Sequence, residues 1–290
     1  MTPWTVRRTF HLLAVGRRLS VVLLAVAIYC GATGLLIRAY DLRPFGRGGV
    51  ASLINTLILS LLLGFRNRAA YDRWWSARGL WGQLTNDTRN LAAKCAAFVP
   101  ADVLARSRVA ELLTGFAEAL NRHLRGEPLR LRDVRGFERE EADPAHVPLY
   151  LAARLFGTVA GWRRDGHVDA EVLWVLDAHL RGLLDVCGGC EKIKSTPPSP
   201  SYVGLLRAGL VMNVLVAPWL TVPELGAWGL PAILMVCFFL FGVELIDTIV
   251  EEPFGRERDD LDLDRYCQTI RSSVEATLPC DSRLGPDGSK

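Results

Sequence analysis

Four apolar stretches, separated by strongly charged segments, constrain the fold of this chain more than any other feature. The first, Leu19 to Ile37, contains no charged residue and has the length of about 20 residues that a helix needs to cross a bilayer. The others, Val50 to Phe65, Ala208 to Leu220 and Trp228 to Ile249, are shorter or contain polar and charged residues. Such segments are typical of helices that bury one face against protein or line a water-filled path. The pattern predicts a membrane protein whose four spans assemble with one another.

Composition supports this class and excludes others. Of the 290 residues, 50% are hydrophobic, and 34 basic residues nearly balance 31 acidic ones, which leaves a net charge of +3. This balance implies no charge-driven partner, so nucleic acid is not expected. The seven cysteines are an odd number, and Cys30 and Cys237 lie inside apolar stretches, which argues against a disulfide framework. Cys187 and Cys190 form a CxxC without a second zinc-ligand pair, and we interpret it as part of a helix end.

The beginning of the chain resembles a twin-arginine export signal. "RRTFHLLAVGRRLSVVLLAVA" has paired arginines, an apolar region, and Ala25 and Ala27 at the spacing of a cleavage site. The apolar run continues to Ile37, however, and further apolar stretches follow. We therefore expect an uncleaved first span.

The distribution of arginines predicts the membrane topology. The link from Thr221 to Ala227 contains no Lys or Arg, so we expect it outside the cell, with both termini in the cytoplasm. The three arginines of the loop 38–49 oppose this assignment, but the arginines before the first span and after the second outnumber them. We expect a multi-pass protein of the inner (plasma) membrane.

The remaining sequence has helical periodicity and no strand alternation of useful length, so the predicted fold class is all-α. Five divisions are predicted. The first (1–92) contains the first two spans and the extension of the second, and a cytosolic helical region follows (93–200). The third and fourth spans (201–250), a C-terminal helical region (251–278) and a loose tail (279–290) complete the chain.

The second apolar stretch continues into charged sequence without a break. Nothing from Val50 to Ala92 strongly interrupts a helix, which predicts one helix that leaves the membrane. On it, Leu57, Leu61 and Phe65 recur every four residues and lie on one side. In a ring of helices these side chains would form an apolar constriction, which can gate ions by excluding water. Helix packing and lipid contact produce the same periodicity, so the spacing alone leaves both interpretations open.

Two motifs resemble the bestrophin family, specifically its bacterial branch: "LGFRNRAAYDRWWSARGLWGQLTNDTRNLA" and "GVELIDTIVEEPFGRERDDLDLDRYC". The resemblance implies a homopentameric ion channel with four transmembrane helices per subunit, a central pore lined by the second helix, and a large helical cytosolic part. The apolar pore neck of the family lies 16, 12 and 8 residues before the arginine of its "RWW", which leads from Arg73 to Leu57, Leu61 and Phe65. A second, cytosolic constriction is implied near Val172, Val175 and Leu176.

The second motif departs from the calcium clasp of the animal members. Glu252 replaces an asparagine, Glu257 and Asp260 match two clasp aspartates, and Arg256 and Arg258 interrupt the acidic run. Calcium needs six to eight oxygen ligands with little positive charge nearby, and the two arginines supply such charge, so we expect no calcium gating. We instead expect the acidic residues Glu251, Glu252, Asp259 and Asp260 to cap a helix after Pro253 and to pair with arginines.

Other polar residues are assigned structural roles. Glu244 and Asp247 lie three residues apart in the fourth stretch, where hydrogen bonds to a neighbouring helix are favoured over a proton or cation relay. The tryptophans Trp74, Trp75 and Trp81 are expected to anchor at the interface or pack in a core. Ion pairs between helices are expected for Arg73, Arg78, Arg89, Asp72 and Asp87. The five histidines form no metal-spaced cluster, and no catalytic constellation is found, so neither a metal, a cofactor nor an enzymatic activity is predicted.

The expected function is passive conduction of monovalent ions through a pentameric, membrane-embedded channel. An apolar neck prefers neither sign of charge. Because the motifs place the chain in the bacterial branch, which includes cation-conducting members, cation selectivity is the main expectation and an anion (chloride) channel is the alternative. A proton-coupled carrier using Glu244 and Asp247, and a membrane-anchored scaffold or enzyme, are the other function classes considered.

Overall fold

The structure, a computed structural model, describes residues 3–41, 48–100 and 103–278. They form eight α-helices and two short 3₁₀ turns, Leu131–Asp133 and Gly226–Trp228. The helices are α1 (Pro3–Ala39), α2 (Gly48–Phe98), α3 (Val103–Leu124), α4 (Val147–Arg164), α5 (Ala170–Ser195), α6 (Pro200–Leu225), α7 (Gly229–Val250) and α8 (Leu263–Thr277). The described ranges contain no β-strand, which confirms the predicted all-α class.

Helix α2 is the longest element. Its 51 residues extend over about 76 Å at 1.5 Å per residue. The predicted continuity from Val50 to Ala92 is confirmed, because neither the glycines of this segment nor its change from apolar to charged sequence interrupts the helix.

The chain divides into two compact units. The first contains Met1–Asp72 and Pro197–Glu251, and the second contains Arg73–Thr196 and Glu252–Lys290. Helix α2 supplies residues to both units, and the division falls within its charged part.

The first unit packs α1, α6 and α7 together with the first half of α2. Val26 and Cys30 of α1 meet Ile233 and Cys237 of α7 in a small buried cluster. The Tyr29 hydroxyl donates to the Leu215 carbonyl oxygen at 2.8 Å and accepts from Trp219 Nε1 at 3.1 Å. Apolar packing and a few polar contacts therefore join α1 to both other helices.

Two described stretches have the length and apolar composition required to cross a membrane, Leu19–Ala39 and Pro200–Val250. The first contains the predicted span Leu19 to Ile37. The second has 51 residues and comprises α6, the turn Gly226–Trp228 and α7, which contain the predicted third and fourth stretches. The predicted second stretch lies in α2.

The second unit has the larger core. Buried side chains of α2, α3, α4, α5, α8 and two loops form one cluster. Its largest fully buried members are Trp81, Phe116, Phe137 and Phe254. Trp81 lies 5.8 Å from Tyr266 between ring centroids, so the expectation of core packing is confirmed for this tryptophan.

Candidate ion pathway and clusters of charged residues

The first half of α2 has two different apolar faces. Leu59 and Leu63 are buried and pack against Leu210 of α6. The predicted neck residues lie on another face and remain open, with exposed fractions of 70% for Leu57, 58% for Leu61 and 59% for Phe65. The stripe therefore does not pack inside its own unit, and it is available to lipid, to another subunit or to a pore.

Charged residues follow the stripe on the same helix. Arg68 and Asp72 are both exposed, and Arg68 Nε lies 3.8 Å from Asp72 Oδ2, one helical turn away. Because the two charges are opposite, this pair creates no strong preference for either sign of ion.

Arg66, next to Phe65, is directed into the unit. Its side chain is 4% exposed; Nη1 lies 3.1 Å from Glu244 Oε1, and Nη2 lies 3.4 Å from Glu251 Oε2. Nη2 also donates to Thr248 Oγ1 at 3.2 Å. Three hydrogen bonds to α7 and its end thus hold α2 while the adjacent stripe stays exposed.

Glu244 has a second cationic partner. Arg207 Nε on α6 donates to Glu244 Oε1 at 2.9 Å. The predicted hydrogen bonding of Glu244 to neighbouring helices is therefore confirmed. Asp247 is buried, and its Oδ2 has no hydrogen-bond partner among the described residues. A carboxylate held by two arginines is poorly suited to relay protons or cations.

The structure revises the set of residues predicted for the cytosolic constriction. Val172, Val175 and Leu176 lie in the first two turns of α5. Asp169 caps this helix, and its side chain accepts the Val172 N–H at 2.8 Å. Leu176 is fully buried in the core of the second unit and cannot line a passage, so this part of the prediction is wrong. Val175 is exposed and Val172 is half-buried. The neighbouring Trp174 is 78% exposed.

The degenerate clasp positions lie in the loop between α7 and α8. Asp260 Oδ2 accepts the Glu257 N–H at 2.6 Å, and the Leu261 N–H donates to the Pro253 carbonyl oxygen at 3.0 Å. Glu252 and Glu257 have exposed side chains. Burial, aided by neighbouring carboxylates, raises the pKa of Asp260 above its usual value. The Asp260 side chain thus closes the loop.

The predicted helix cap in this loop is wrong. Helix α8 begins at Leu263, and Asp262 caps it by accepting the Arg265 N–H at 3.0 Å. The predicted pairing with arginines occurs at Glu251, which binds Arg66.

Three arginines of the Trp-rich half of α2 contact groups other than carboxylates. Arg73 donates to the carbonyl oxygens of Ile193 and Thr196, and Arg89 Nε donates to Ser273 Oγ at 3.1 Å. The guanidinium of Arg78 stacks on Trp75 at 4.9 Å from the ring centroid. The partners of these arginines thus include carbonyl oxygens, a hydroxyl and an aromatic ring, which the sequence pattern does not distinguish from carboxylates.

A chain of titratable groups connects α2 with α5. Asp87 Oδ1 lies 2.9 Å from His179 Nδ1, and His179 Nε2 lies 2.7 Å from Lys94 Nζ. Gly182 permits this approach, because a Cβ there would lie 2.3 Å from Asp87 Oδ2. The expected partnership of Asp87 with another helix is found, but with a histidine.

A cluster of two histidines and a glutamate was missed by sequence reasoning. Glu191 Oε1 lies 2.8 Å from His123 Nε2 and 2.6 Å from His146 Nε2. Burial alone would raise the pKa of Glu191, but the hydrogen bonds of the two imidazoles outweigh it and lower that pKa. The three residues are far apart in the sequence, so no short metal-ligand spacing connects them.

Comparisons with known proteins identify the family. The sequence profile of the Bacterial/Fungal Bestrophin protein family matches residues 8–276. The chain belongs to this family. The resemblance found in the two motifs is thereby confirmed, and the match extends far beyond them.

Curated relatives and solved structures agree with the assignment. The chain is 33% identical to a voltage-dependent anion channel-forming protein of Nostoc sp., over 86% of this chain and 84% of the relative. It is 32% identical to a protein of the same description from Mesorhizobium japonicum, over 89% of this chain and 81% of the relative. A crystal structure of a bacterial bestrophin homolog from Klebsiella pneumoniae is 22% identical, has a TM-score of 0.82, and covers 88% of this bestrophin and 97% of the solved chain. The last comparison shows a shared fold.

Proposed function

We propose that this bestrophin forms a homopentameric ion channel with four transmembrane helices per subunit and a central pore lined by α2. The exposed stripe of Leu57, Leu61 and Phe65 carries the proposal, since the adjacent Leu59 and Leu63 are buried in the same unit. Side chains of this kind need a surrounding other than bulk water. Five stripes around an axis would form a narrow apolar neck.

The proposed topology places the protein in the plasma membrane of a bacterium, with both termini in the cytoplasm. Helices α6 and α7 are joined by a short turn, as expected for two antiparallel spans. The link from Thr221 to Ala227 lacks Lys and Arg, which supports an external position. Passive conduction requires neither a cofactor nor catalysis, and the proposed partners are copies of the same chain, lipid and permeant monovalent ions.

We propose anions as the permeant species. The relatives from Nostoc sp. and Mesorhizobium japonicum are both named as anion channel-forming proteins. These names support the anion alternative better than the cation expectation drawn from the bacterial motifs. The exposed Arg68–Asp72 pair next to the stripe favours neither sign, so its charges do not oppose this assignment.

Val172 and Val175 are proposed for the cytosolic constriction, with Leu176 removed because it is buried. The carrier hypothesis is not retained, because Glu244 is held by Arg66 and Arg207.

The direct test is reconstitution of the purified full-length protein in a planar bilayer under a potassium chloride gradient. Unitary currents are expected, with a reversal potential near that of chloride. A reversal potential near that of potassium would establish the cation expectation instead. The absence of current from folded protein incorporated in the bilayer would contradict the channel itself. Mass measurement in detergent should give a pentamer.

The neck is tested by replacing Leu57, Leu61 and Phe65 together by alanine. Widening an apolar constriction should raise conductance or open probability. Met212→Ala is the matched control, because Met212 is an exposed apolar residue of α6 in the same unit. If the triple variant and the control both conduct like the unmodified protein, the stripe faces lipid or another helix.

A further inference from the structure

Three metal-ligating side chains from three different parts of the second unit converge on one point. His123 lies in the last turn of α3, His146 caps α4, and Glu191 lies near the end of α5. One potential ligand atom from each residue lies within 4.8 Å of the other two. We propose that His123, His146 and Glu191 bind a divalent transition-metal ion, preferably zinc, in a role that does not depend on the proposed channel function.

The chemistry of the donors selects the metal. Two imidazole nitrogens and one carboxylate oxygen suit zinc and its neighbours, whereas calcium and magnesium prefer sites built from oxygen ligands. Two histidines and a glutamate leave a fourth position for water. The side chains are 35%, 32% and 36% exposed, respectively, so an ion and its water can reach them from solvent.

The geometry needs only small changes. Zinc binds imidazole nitrogen and carboxylate oxygen at about 2.0–2.2 Å, so tetrahedral ligand atoms lie about 3.3–3.5 Å apart. In the structure, Glu191 Oε1 is 2.8 Å from His123 Nε2 and 2.6 Å from His146 Nε2. The two imidazole rings already lie side by side, with centroids 4.6 Å apart. Metal insertion therefore requires the carboxylate and the rings to separate by less than about 1 Å.

Protons must leave or move when the metal binds. The Leu149 N–H donates to His146 Nδ1 at 3.1 Å, so in the neutral ring the proton lies on Nε2, which points at Glu191. Ligation through Nε2 moves this proton to Nδ1 and breaks the cap of α4. The lost capping bond is weaker than a metal–imidazole bond, so the exchange is favourable.

The neighbours of the cluster are compatible with an ion. Cys187 Sγ lies 3.7 Å from Glu191 Oε1, one turn earlier on α5. Cys187 is buried and does not belong to the proposed ligand set of two histidines and one glutamate. Lys194 Nζ donates to the carbonyl oxygens of His123 and Leu124. Its charge is thus held by the end of α3.

The position of the cluster indicates a structural role. His123 and His146 lie at the two ends of the long connection between α3 and α4. The helical structure within this connection is the short 3₁₀ turn Leu131–Asp133. A metal ion would close this connection and tie it to α5. Closing a long loop is the arrangement in which a cross-link stabilises a fold most.

The test uses the full-length protein in detergent, stripped with a chelator and titrated with zinc alone, magnesium alone or calcium alone. Zinc should bind at one ion per chain and raise the Tm by about 5 °C at a hundredfold excess over Kd. Magnesium and calcium should do neither. Amide exchange at Leu149 should accelerate with zinc because its acceptor is withdrawn.

Three variants remove ligands and one serves as a control. His146→Asn retains a capping side chain, Glu191→Gln retains shape, and His123→Asn removes the other imidazole. Each should weaken zinc binding by more than about tenfold, the loss typical of changes outside the ligand shell. His167→Asn, at an exposed histidine of the same unit, should bind like the unmodified protein.

Cobalt replaces zinc as a spectroscopic probe and keeps the test valid if a variant folds poorly. Bound cobalt in the unmodified protein should show nitrogen ligation by electron paramagnetic resonance. Zinc binding that persists in all three ligand variants, or a stripped protein that binds no zinc, would overturn the proposal.

Discussion

The two units of this bestrophin differ in the side chains that they bury and expose. The first unit buries Arg66 and leaves Leu57, Leu61 and Phe65 exposed, whereas the second unit buries Trp81 in the larger apolar core. Helix α2 contributes to both patterns. An apolar surface next to a buried ion-pair network is stable when lipid or another subunit covers it. In the proposed topology, one continuous helix would therefore contact both lipid and water.

The largest expected effect comes from the buried charge of the first unit. Arg66→Ala would leave the carboxylates of Glu244 and Glu251 without this partner, which should lower the free energy of unfolding by about 3–5 kcal/mol. Arg68→Ala is the matched control, since the Arg68 side chain is 83% exposed and its loss should change stability by less than about 1 kcal/mol. Thermal unfolding in detergent measures both. Equal effects would mean that the burial of Arg66 does not matter.

The two apolar faces of α2 should differ next. Leu63→Ala leaves a cavity against Leu210 and should destabilise the protein by about 2–3 kcal/mol. Leu61→Ala, two residues away on the exposed face, should change the stability of the isolated subunit little and should instead affect current. A stability loss at Leu61 as large as that at Leu63, measured by thermal unfolding, would show that both faces are packed.

Close packing in the second unit is tested at two glycines of α5. Gly182→Ala places a Cβ 2.3 Å from Asp87 Oδ2 and should cost about 1–3 kcal/mol. At Gly188 no side chain lies within 4 Å of an added Cβ, so Gly188→Ala should stabilise the helix by about 0.5–1 kcal/mol. Chemical denaturation measures the free energy of unfolding of both variants. Changes of the same sign would contradict the conclusion that the two glycines have different surroundings.

The smallest expected effect concerns an exposed charge of the second unit. Burial alone would raise the pKa of Asp264, but hydrogen bonds from Asn121 and Arg125 outweigh it and lower that pKa. Because the folded pKa is depressed, the stabilisation is present above the unfolded pKa of about 3.9 and is lost as pH falls through the folded value. Asp264→Asn should therefore cost less than about 1 kcal/mol at pH 7, since the side chain is largely exposed.

A pH series of thermal unfolding measures this difference, which should fade at acid pH. Asp143→Asn, at an exposed position, is the control and should leave the Tm at neutral pH nearly unchanged. A penalty at Asp264 that is constant down to strongly acid pH would indicate lost packing instead of lost charge.

The sequence by itself determined the elements that depend on local pattern. Apolar length predicted the span within α1, the absence of breakers predicted the continuity of α2, and two motifs led to the family. The stripe of Leu57, Leu61 and Phe65 could also be identified from helical periodicity, because residues four apart share a side.

Only the tertiary structure decided which faces are covered. Val175 and Leu176 are adjacent and similarly apolar, yet one is exposed and the other is buried, because the packing of α5 against the core is set by distant helices. The same reason separates Phe65 from Arg66. Contacts between residues far apart in the chain, such as those of His123, His146 and Glu191, have no local pattern, and they arise only when the helices pack.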